Sequence, residues 1–147
     1  MTRAELLPLR TALERLMAAA PPPPATERVA LADALHRVLA GAHCAAIDVP
    51  PGDNSAMDGY ALRAGDAGCQ LPVVQRIAAG DTPQILPPGT AARIFTGALV
   101  PVGADAVVLQ EDCERSGDMV RVPGEIDVGQ HIRRRGQDMR AGETLLS

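Results

Sequence analysis

The spacing of apolar side chains changes part-way along the chain. Residues 9–20 (LRTALERLMAAA) carry apolar side chains at helical spacing, which predicts an amphipathic helix ending at the four prolines of residues 21–24. Residues 27–31 (ERVAL) predict a short strand, and residues 32–40 (ADALHRVLA) predict a second helix. The N-terminal part is therefore expected to contain two helices and one short strand.

The central part of the chain has a different pattern. From residue 45 to about residue 130 the apolar runs are short and β-branched, and Pro or Gly interrupts them roughly every ten residues. The runs are LPVVQRIAA (71–79), ARIFTGA (92–98), ADAVVLQ (104–110) and MVRVP (119–123). This pattern predicts an all-β region with irregular turns, followed by a tail of loop and strand.

The composition narrows the possible functions. The chain has 147 residues, which suits one domain or two small ones sharing a core. Tyr60 and Phe95 are its only aromatic residues. The core must therefore consist of Leu, Val, Ile and Ala, and no aromatic platform for single-stranded nucleic acid is expected. The net charge of −4 argues against binding to nucleic acid or to an acidic membrane surface.

The cysteines indicate a reducing compartment. Cys44, Cys69 and Cys113 are an odd number at wide spacing, and no CxxC pair occurs. This spacing favours neither a zinc knuckle nor a disulfide framework, whereas free thiols fit the cytosol. We see no signal peptide and no apolar run long enough to span a membrane.

The first of three polar turns is DNSAMDGY (53–60). Asp58–Gly59 fits a two-residue type I′ hairpin turn, and Asp53, Asn54 and Ser55 fit its entry through local hydrogen bonds. Spacing alone favours this structural interpretation over a catalytic carboxylate. A calcium loop is a poor match to the same residues.

The second polar turn is TGALVPVGAD (96–105). Thr96 and Gly97 could cradle a phosphate oxygen through a hydroxyl and free N–H groups, although spacing alone favours an ordinary strand-to-loop turn. The strand that follows ends at Glu111 and Asp112, and spacing favours solvated charges there over ligands.

The third polar turn is RRRGQDMRAG (133–142). Arginines suit bidentate binding of phosphate-type anions, but at most two of three adjacent arginines can line one site on a strand. The alternative is a solvated surface run with Asp138 as an ion-pair partner.

The three histidines have no metal-type spacing, and no Walker loop, dinucleotide fingerprint or nucleophile elbow occurs. The residues alone therefore predict a β module with three polar turns as candidates for one shared site, without defining a reaction.

The three turns lie within longer segments that resemble one family. DVPPGDNSAMDGYALRA (48–64), RIFTGALVPVGADAVVLQED (93–112) and GQHIRRRGQDMRAGETLL (129–146) resemble the N-terminal half of MoeA, the molybdopterin molybdenumtransferase family that includes the gephyrin E domain. The upstream segment ALADALHRVLAGAHCA (30–45) fits the same family. The resemblance covers the chain from about Leu9 to Leu146.

The resemblance implies a mainly β fold with short α segments: an irregular β domain over residues ~45–130, a small α/β segment and an N-terminal helix. The implied domains are an N-terminal helix and proline linker (1–25), which packs on a pterin-binding domain in the family, a small first domain (26–44 with 138–147), and an all-β second domain (45–137). The family continues beyond the matching region into the pterin-binding domain.

The resemblance also implies an activity. Family members insert molybdate into adenylylated molybdopterin with Mg²⁺ and release AMP and molybdenum cofactor. They act as cytoplasmic homodimers whose cleft lies between the second domain of one subunit and the pterin-binding domain of the other, and a MogA-like molybdopterin adenylyltransferase is an expected partner. The region alone is expected to be inactive. The alternative is a non-catalytic dimerisation or interaction module that partners a separate pterin-binding subunit; a bare anion-binding β domain is a third hypothesis.

The family motifs assign roles to single residues. The implied catalytic residues are Asp58, Thr96 and Asp138; Asp58 and Asp138, with Glu111 as a weaker third, are implied to hold the metal. Residues implied to bind substrate or anion are Asn54, Ser55, Gly97, Arg134 and Arg135. Because a carboxylate repels molybdate, Asp58 and Asp138 make better sense holding Mg²⁺ and its waters than the anion itself.

Three residues depart from the family pattern. His36 stands where the family usually has Gly, which is expected to alter a helix end. Gly52 replaces a bulky apolar residue and predicts looser local packing. Gln137 replaces a common acid and removes one negative charge beside Asp138.

Overall fold

The structure is a computed structural model that describes residues 7–147. These residues belong to two units, one ending at Ala40 and the other running from Gly41 to Ser147. Within the described part of the chain, no helix is both long and apolar enough to cross a membrane.

The first unit contains the predicted amphipathic helix, α1 (Leu9–Ala19). Pro8 precedes it and accepts the first helical hydrogen bond from Ala12. The prolines of residues 21–24 follow it, and they cannot continue a helix because they lack an N–H group. No residue of α1 is buried. Its apolar face is therefore exposed; it carries Leu9, Leu13, Leu16 and Met17.

The second predicted helix and the strand at residues 27–31 are wrong. A 3₁₀ turn covers Leu31–Asp33, and a further turn follows in which Arg37 N–H donates to the Ala34 carbonyl at 3.0 Å. His36 has a φ of +66°, which is incompatible with an α-helix. The segment also has no strand to pair with among the described residues, so its apolar side chains do not enter a sheet.

The positive φ of His36 explains why Gly suits this position. A side chain in the left-handed region costs about 1 kcal/mol, whereas Gly adopts it without that cost. We expect His36→Gly to stabilise the turn and to slow exchange of the Arg37 amide about fivefold. Amide hydrogen exchange measured by NMR checks this. His43→Gly, a change of the same kind at an extended residue, should not slow the exchange of any amide. If the Arg37 amide exchanged at the same rate in His36→Gly as in the wild type, the backbone at His36 would not be strained.

The second unit is built from ten short strands and two further 3₁₀ turns. The strands are β1 (His43–Cys44), β2 (Asn54–Ser55), β3 (Gly59–Leu62), β4 (Gln70–Ile77), β5 (Ala91–Ile94), β6 (Ala106–Leu109), β7 (Glu114–Ser116), β8 (Met119–Arg121), β9 (Ile132–Arg133) and β10 (Thr144–Leu146), and the 3₁₀ turns are Ala64–Asp66 and Gln110–Asp112. Six strands form one sheet in the order β6-β3-β5-β4-β8-β7. Its pairs are antiparallel except β4 with β5. The fold is mainly β, as predicted.

Two smaller pairs complete the second unit. β2 pairs with β9 and β1 pairs with β10, both antiparallel. The second pair joins the ends of the two segments assigned to a small first domain, 26–44 and 138–147. The domain bounds themselves stay a prediction.

Three strands of the large sheet, β3, β5 and β6, are buried on both faces. Alternate residues of β3 enter two different apolar clusters, with Tyr60 and Leu62 in one and Ala61 in the other. The first cluster adds Leu71, Ala91, Val108, Val120 and Val122, and the second adds Ile77, Leu86, Ala92, Ile94, Ala98 and Val107. Small and branched aliphatic residues thus fill the core, as the composition predicted.

The predicted Asp58–Gly59 hairpin is wrong. β2 pairs with β9 rather than with β3, so no hairpin joins the two strands. Neither Asp58 nor Gly59 has the positive φ that a type I′ turn needs. Gly59 lies instead in the buried strand β3, where a Cβ atom would come within 1.8 Å of the Val108 carbonyl oxygen. The glycine is needed for close approach of two strands, and Asp58 is left at the end of the preceding bend.

Candidate functional site

Asp58 and Thr96 meet at one end of the large sheet. Asp58 directly precedes β3, and Thr96 lies two residues beyond the neighbouring strand β5. Asp58 Oδ1 accepts the Thr96 backbone N–H at 2.8 Å and the Thr96 hydroxyl at 2.7 Å. These donors, the backbone one first, hold the pKa of Asp58 below its ordinary value, and the charge of Arg93 acts in the same direction. The structure therefore joins two of the predicted site residues and keeps the carboxylate ionised.

The hydrogen bonds to Asp58 Oδ1 give a pH prediction. Thr96→Val removes the hydroxyl but keeps the backbone N–H, so the pKa of Asp58 should rise part of the way to its ordinary value of 3.8. The depressed pKa stabilises the folded state above pH ~4, and this contribution is lost as pH falls through the folded value. Carboxyl NMR titration checks the shift. Thr90→Val, whose hydroxyl donates to the Pro87 carbonyl, should leave Asp58 unchanged.

Asn54 and Ser55 connect the first turn to the second. Asn54 Nδ2 donates to the Gly97 carbonyl at 3.1 Å. The backbone N–H of the buried Ser55 donates to the Ala98 carbonyl, and the Ser55 carbonyl accepts from the Gly97 N–H. Ser55 Oγ donates to the Met57 carbonyl at 2.6 Å. Both side chains thus hold the bend that presents Asp58. Their predicted contact with substrate stays a prediction.

The second turn does not present the free N–H groups that we expected. The Thr96 N–H donates to Asp58, the Gly97 N–H to the Ser55 carbonyl and the Ala98 N–H to the Phe95 carbonyl. The N–H groups of Thr96, Gly97 and Ala98 are therefore already occupied. The Thr96 hydroxyl oxygen, through its lone pairs, keeps capacity for another partner.

The third turn packs against the start of the first through ion pairs. Arg134 donates to Asp53 Oδ2 at 2.6 Å, and Arg135 Nε donates to Asp48 Oδ2 at 2.6 Å. The Arg135 backbone N–H, followed by the Arg134 side chain, holds the pKa of Asp53 below its usual range. The Ala141 backbone N–H and then Arg135 do the same for the pKa of Asp48. Carboxylates of this chain therefore offset both arginines that we predicted to bind an anion.

Asp138 pairs with Arg133, and its carboxylate contacts neither Asp58 nor Thr96. Its backbone N–H donates to the Val49 carbonyl at 2.9 Å, which places it beside the start of the first turn. The structure thus matches the ion-pair alternative for Asp138. The first turn thus contacts both of the others: Asp58 bonds to the second, and Asp53 pairs with the third, as does Asp48 just before the first turn.

Glu111 lies near Asp58. Its carboxylate accepts the Gln110 side-chain N–H at 2.9 Å, which is the main cause of a lowered pKa. The nearby charge of Asp58 raises the pKa of Glu111 and the charge of Arg93 lowers it. Arg93 also donates to the Gln110 side chain and to the Gly59 carbonyl. Two carboxylates and one guanidinium thus share this end of the sheet.

The donor set fits the share of a Mg²⁺ site that a protein usually supplies. Mg²⁺ is commonly held by one or two carboxylates, with waters and substrate phosphates completing its shell. Asp58 and Glu111 match that requirement, and Asp58 Oδ2 makes no hydrogen bond to the described residues. Among residues 7–147 no group of three or more His, Cys, Asp or Glu side chains forms a complete metal site. Asp138 fits less well because Arg133 already neutralises it.

Sequence reasoning missed three arginines near this site, Arg76, Arg93 and Arg115. They lie far apart in the sequence but line one cleft beside Phe95. No basic run marks them, and only the strand register brings them together. The conspicuous run Arg133–Arg135 is instead committed to ion pairs.

The described cysteines are free, as their spacing predicted. Cys113 is half-buried; burial first, and then the charge of Asp112, raises the pKa of its thiol to about 11. This thiol is therefore protonated at neutral pH and is a poor nucleophile.

Known proteins match the chain along nearly its whole length. Residues 7–147 match the family described as MoeA N-terminal region (domain I and II). A molybdopterin molybdenumtransferase from Synechococcus elongatus is 41% identical over 152 residues, covering 97% of this chain and 38% of that protein. Molybdopterin molybdenumtransferase 2 from Mycobacterium tuberculosis is 44% identical over 126 residues, covering 80% of this chain and 31% of that protein.

A crystal structure shows the same fold. The molybdopterin biosynthesis MoeA protein from Pyrococcus horikoshii OT3 superposes with a TM-score of 0.84 at 36% identity, covering 97% of this chain and 40% of that protein. The chain thus spans about two fifths of its relatives or less. The motifs around Asp58 and Thr96, the mainly β fold and these matches agree, and the chain belongs to the MoeA family, corresponding to its N-terminal region of domains I and II.

Proposed function

We propose that this chain supplies the N-terminal region of a molybdopterin molybdenumtransferase, which inserts molybdate into adenylylated molybdopterin and releases AMP. The observation that carries the proposal is the Asp58–Thr96 pair. Two separate family motifs supply these residues, and the pair presents an ionised carboxylate at an open end of the sheet. The names of the relatives support the same assignment.

In this mechanism Thr96 positions Asp58. Its two donors fix Oδ1, and Oδ2 makes no hydrogen bond to the described residues. We place Oδ2 at the cleft that a pterin-binding domain would complete. Asp58 and Glu111 would hold Mg²⁺, and the bound ion would supply positive charge beside the diphosphate of the substrate. Asp138 joins them only if Arg133 releases it. Asn54 and Ser55 keep the bend in place. Arg134 and Arg135 can bind an anion only if their ion pairs with Asp53 and Asp48 break.

The remaining assignments are part of the same proposal. We place the protein in the cytoplasm as a homodimer, with a MogA-like adenylyltransferase as partner, and we expect residues 7–147 alone to be inactive. The exposed apolar face of α1 supports docking on a pterin-binding domain. If that domain is a separate subunit, the chain acts as an interaction module.

A chimaera tests the proposal. Residues 7–147 replace the matching region of the Synechococcus elongatus relative, and the gene is expressed in a strain that lacks its own transferase. We expect molybdoenzyme activity to return to within about tenfold of that given by the intact relative, because the Asp58 site is carried over whole. A deletion of the region is the negative control. A chimaera that is folded and expressed at the level of the relative but restores no activity would overturn the proposal.

A further inference from the structure

A polar cleft of the second unit lies beside the Asp58 site and shares only Arg93 with it. Its volume is about 330 Å³, and it opens where β4, β5 and the hairpin of β7 and β8 approach one another. Arg76, Arg93, Arg115 and Phe95 line it, together with the edges of Val73 and Val74. A water molecule takes about 30 Å³, so the cleft has room for a group the size of a diphosphate.

Strand register brings the three arginines together. Arg76 of β4 is the partner of Arg93 in the parallel pair with β5, and Phe95 follows two residues later. Arg115 of β7 lies opposite Val120 of β8, the strand that pairs with β4. The cleft is therefore built on the sheet itself rather than on a loose loop.

Phe95 holds two of the guanidinium groups in place. The guanidinium carbon of Arg76 lies 4.3 Å from the centre of the Phe95 ring, and that of Arg93 lies 4.4 Å from it. Stacking on an aromatic ring orients the planar group while leaving its N–H edges open. Arg93 is fixed further by donating to the Gly59 and Ile94 carbonyls at 2.7 and 3.0 Å.

The positive charge in the cleft is not neutralised by a direct ion pair. Among residues 7–147 none of these three arginines has a carboxylate oxygen within 4.0 Å, whereas each arginine of the run Arg133–Arg135 does. Within the same residues the side chain of Arg76 donates no hydrogen bond, and the side chain of Arg115 donates only through Nε, to the Gly117 carbonyl. The carboxylates near Arg93 are Asp58 and Glu111, which accept from Thr96 and Gln110.

We propose that this cleft binds a doubly charged tetrahedral oxyanion, held between the terminal nitrogens of Arg76 and Arg115. Arg93 contributes charge, and Phe95 keeps Arg76 and Arg93 in position. Three converging guanidinium groups repel one another, and a bound dianion relieves that repulsion while receiving charge-assisted hydrogen bonds. The anion is either a phosphate group of a larger molecule or a free inorganic oxyanion. The inference does not rest on the proposed function, since the residues that hold the anion, Arg76 and Arg115, are not part of the Asp58 site and the test uses the chain by itself.

Titration of the 147-residue chain tests the inference. Pyrophosphate and molybdate are added separately at low ionic strength, and binding is followed by calorimetry and by NMR shifts of the Arg76, Phe95 and Arg115 amides. We expect one saturable site that weakens as salt is added. Tighter binding of pyrophosphate identifies a phosphate group as the ligand, and tighter binding of molybdate identifies a free oxyanion.

Matched variants locate the site. Arg76→Gln and Arg115→Gln should each weaken binding about tenfold, because each removes a charge-assisted contact. Arg121→Gln changes an exposed arginine on the adjacent strand β8 that does not line the cleft, and it should change the affinity less than twofold. Amide spectra with wild-type dispersion show that each variant is folded. The inference is overturned if neither anion saturates the chain, or if Arg76→Gln and Arg115→Gln bind as tightly as Arg121→Gln.

Discussion

Gly59→Ala is expected to destabilise the second unit by at least about 3 kcal/mol, since it forces an overpacked contact in the sheet. The added Cβ would lie 1.8 Å from the Val108 carbonyl oxygen and 2.8 Å from its carbonyl carbon. These are backbone atoms of the paired strand β6, so no side chain can rotate away to relieve the clash. Relief requires β3 and β6 to separate, which breaks the hydrogen bonds that join β6 to the sheet.

Gly65→Ala is the matched control for Gly59→Ala. Gly65 lies in the 3₁₀ turn Ala64–Asp66, its φ is not positive, and a Cβ there would meet no atom within 4 Å. We expect Gly65→Ala to change the free energy of unfolding by less than about 1 kcal/mol, and in the stabilising direction. Urea unfolding followed by circular dichroism measures both variants. Equal midpoints for the two would contradict the close approach of β3 and β6.

Asp58→Asn is expected to slow the chimaera about 10²- to 10³-fold, the usual cost of removing one electrostatic group from an active site. Asparagine keeps an oxygen that accepts the two hydrogen bonds from Thr96, so the bend should persist. The change therefore removes the charge and little else. The rate of molybdenum cofactor formation by the purified chimaera measures the effect.

Asp118→Asn is the control for Asp58→Asn. Asp118 lies exposed in the turn between β7 and β8, and the described residues provide no partner for its side chain. The same chemical change there should leave the rate within about twofold. If Asp58→Asn behaved like Asp118→Asn, Asp58 would keep only its structural role beside Thr96.

The strands of the second unit were predictable because their pattern is local. The apolar runs that contain β4, β5, β6 and β8 were all identified, since β-branched residues between Gly and Pro identify strands directly. Pairing is not local, however. β2 pairs with β9, nearly eighty residues away, and this long-range pairing takes the place of the predicted Asp58–Gly59 hairpin.

The prediction of a second helix was wrong because apolar spacing does not report the backbone conformation of a single residue. The apolar residues of ADALHRVLA suit a helix, but His36 takes a left-handed conformation that a helix does not allow. The family's usual glycine at this position was the available signal, because a residue that is usually glycine often has a positive φ.

The candidate site was predictable in part. The family motifs identified Asp58 and Thr96, and the structure joins them by two hydrogen bonds. The neutralisation of Arg134 by Asp53 depends on residues 81 positions apart, so the sequence did not reveal it. Arg76 and Arg115 were not identified from the sequence for the same reason, because they come together only after the sheet has formed.

Release of AMP by the purified chimaera is the most direct test of the proposed role of this chain. The chimaera is mixed with adenylylated molybdopterin, molybdate and Mg²⁺, and AMP and inserted molybdenum are counted over time. The account predicts one AMP for each molybdenum inserted, at a rate within about tenfold of the intact relative. A folded chimaera that releases AMP no faster than the relative lacking its N-terminal region would contradict it.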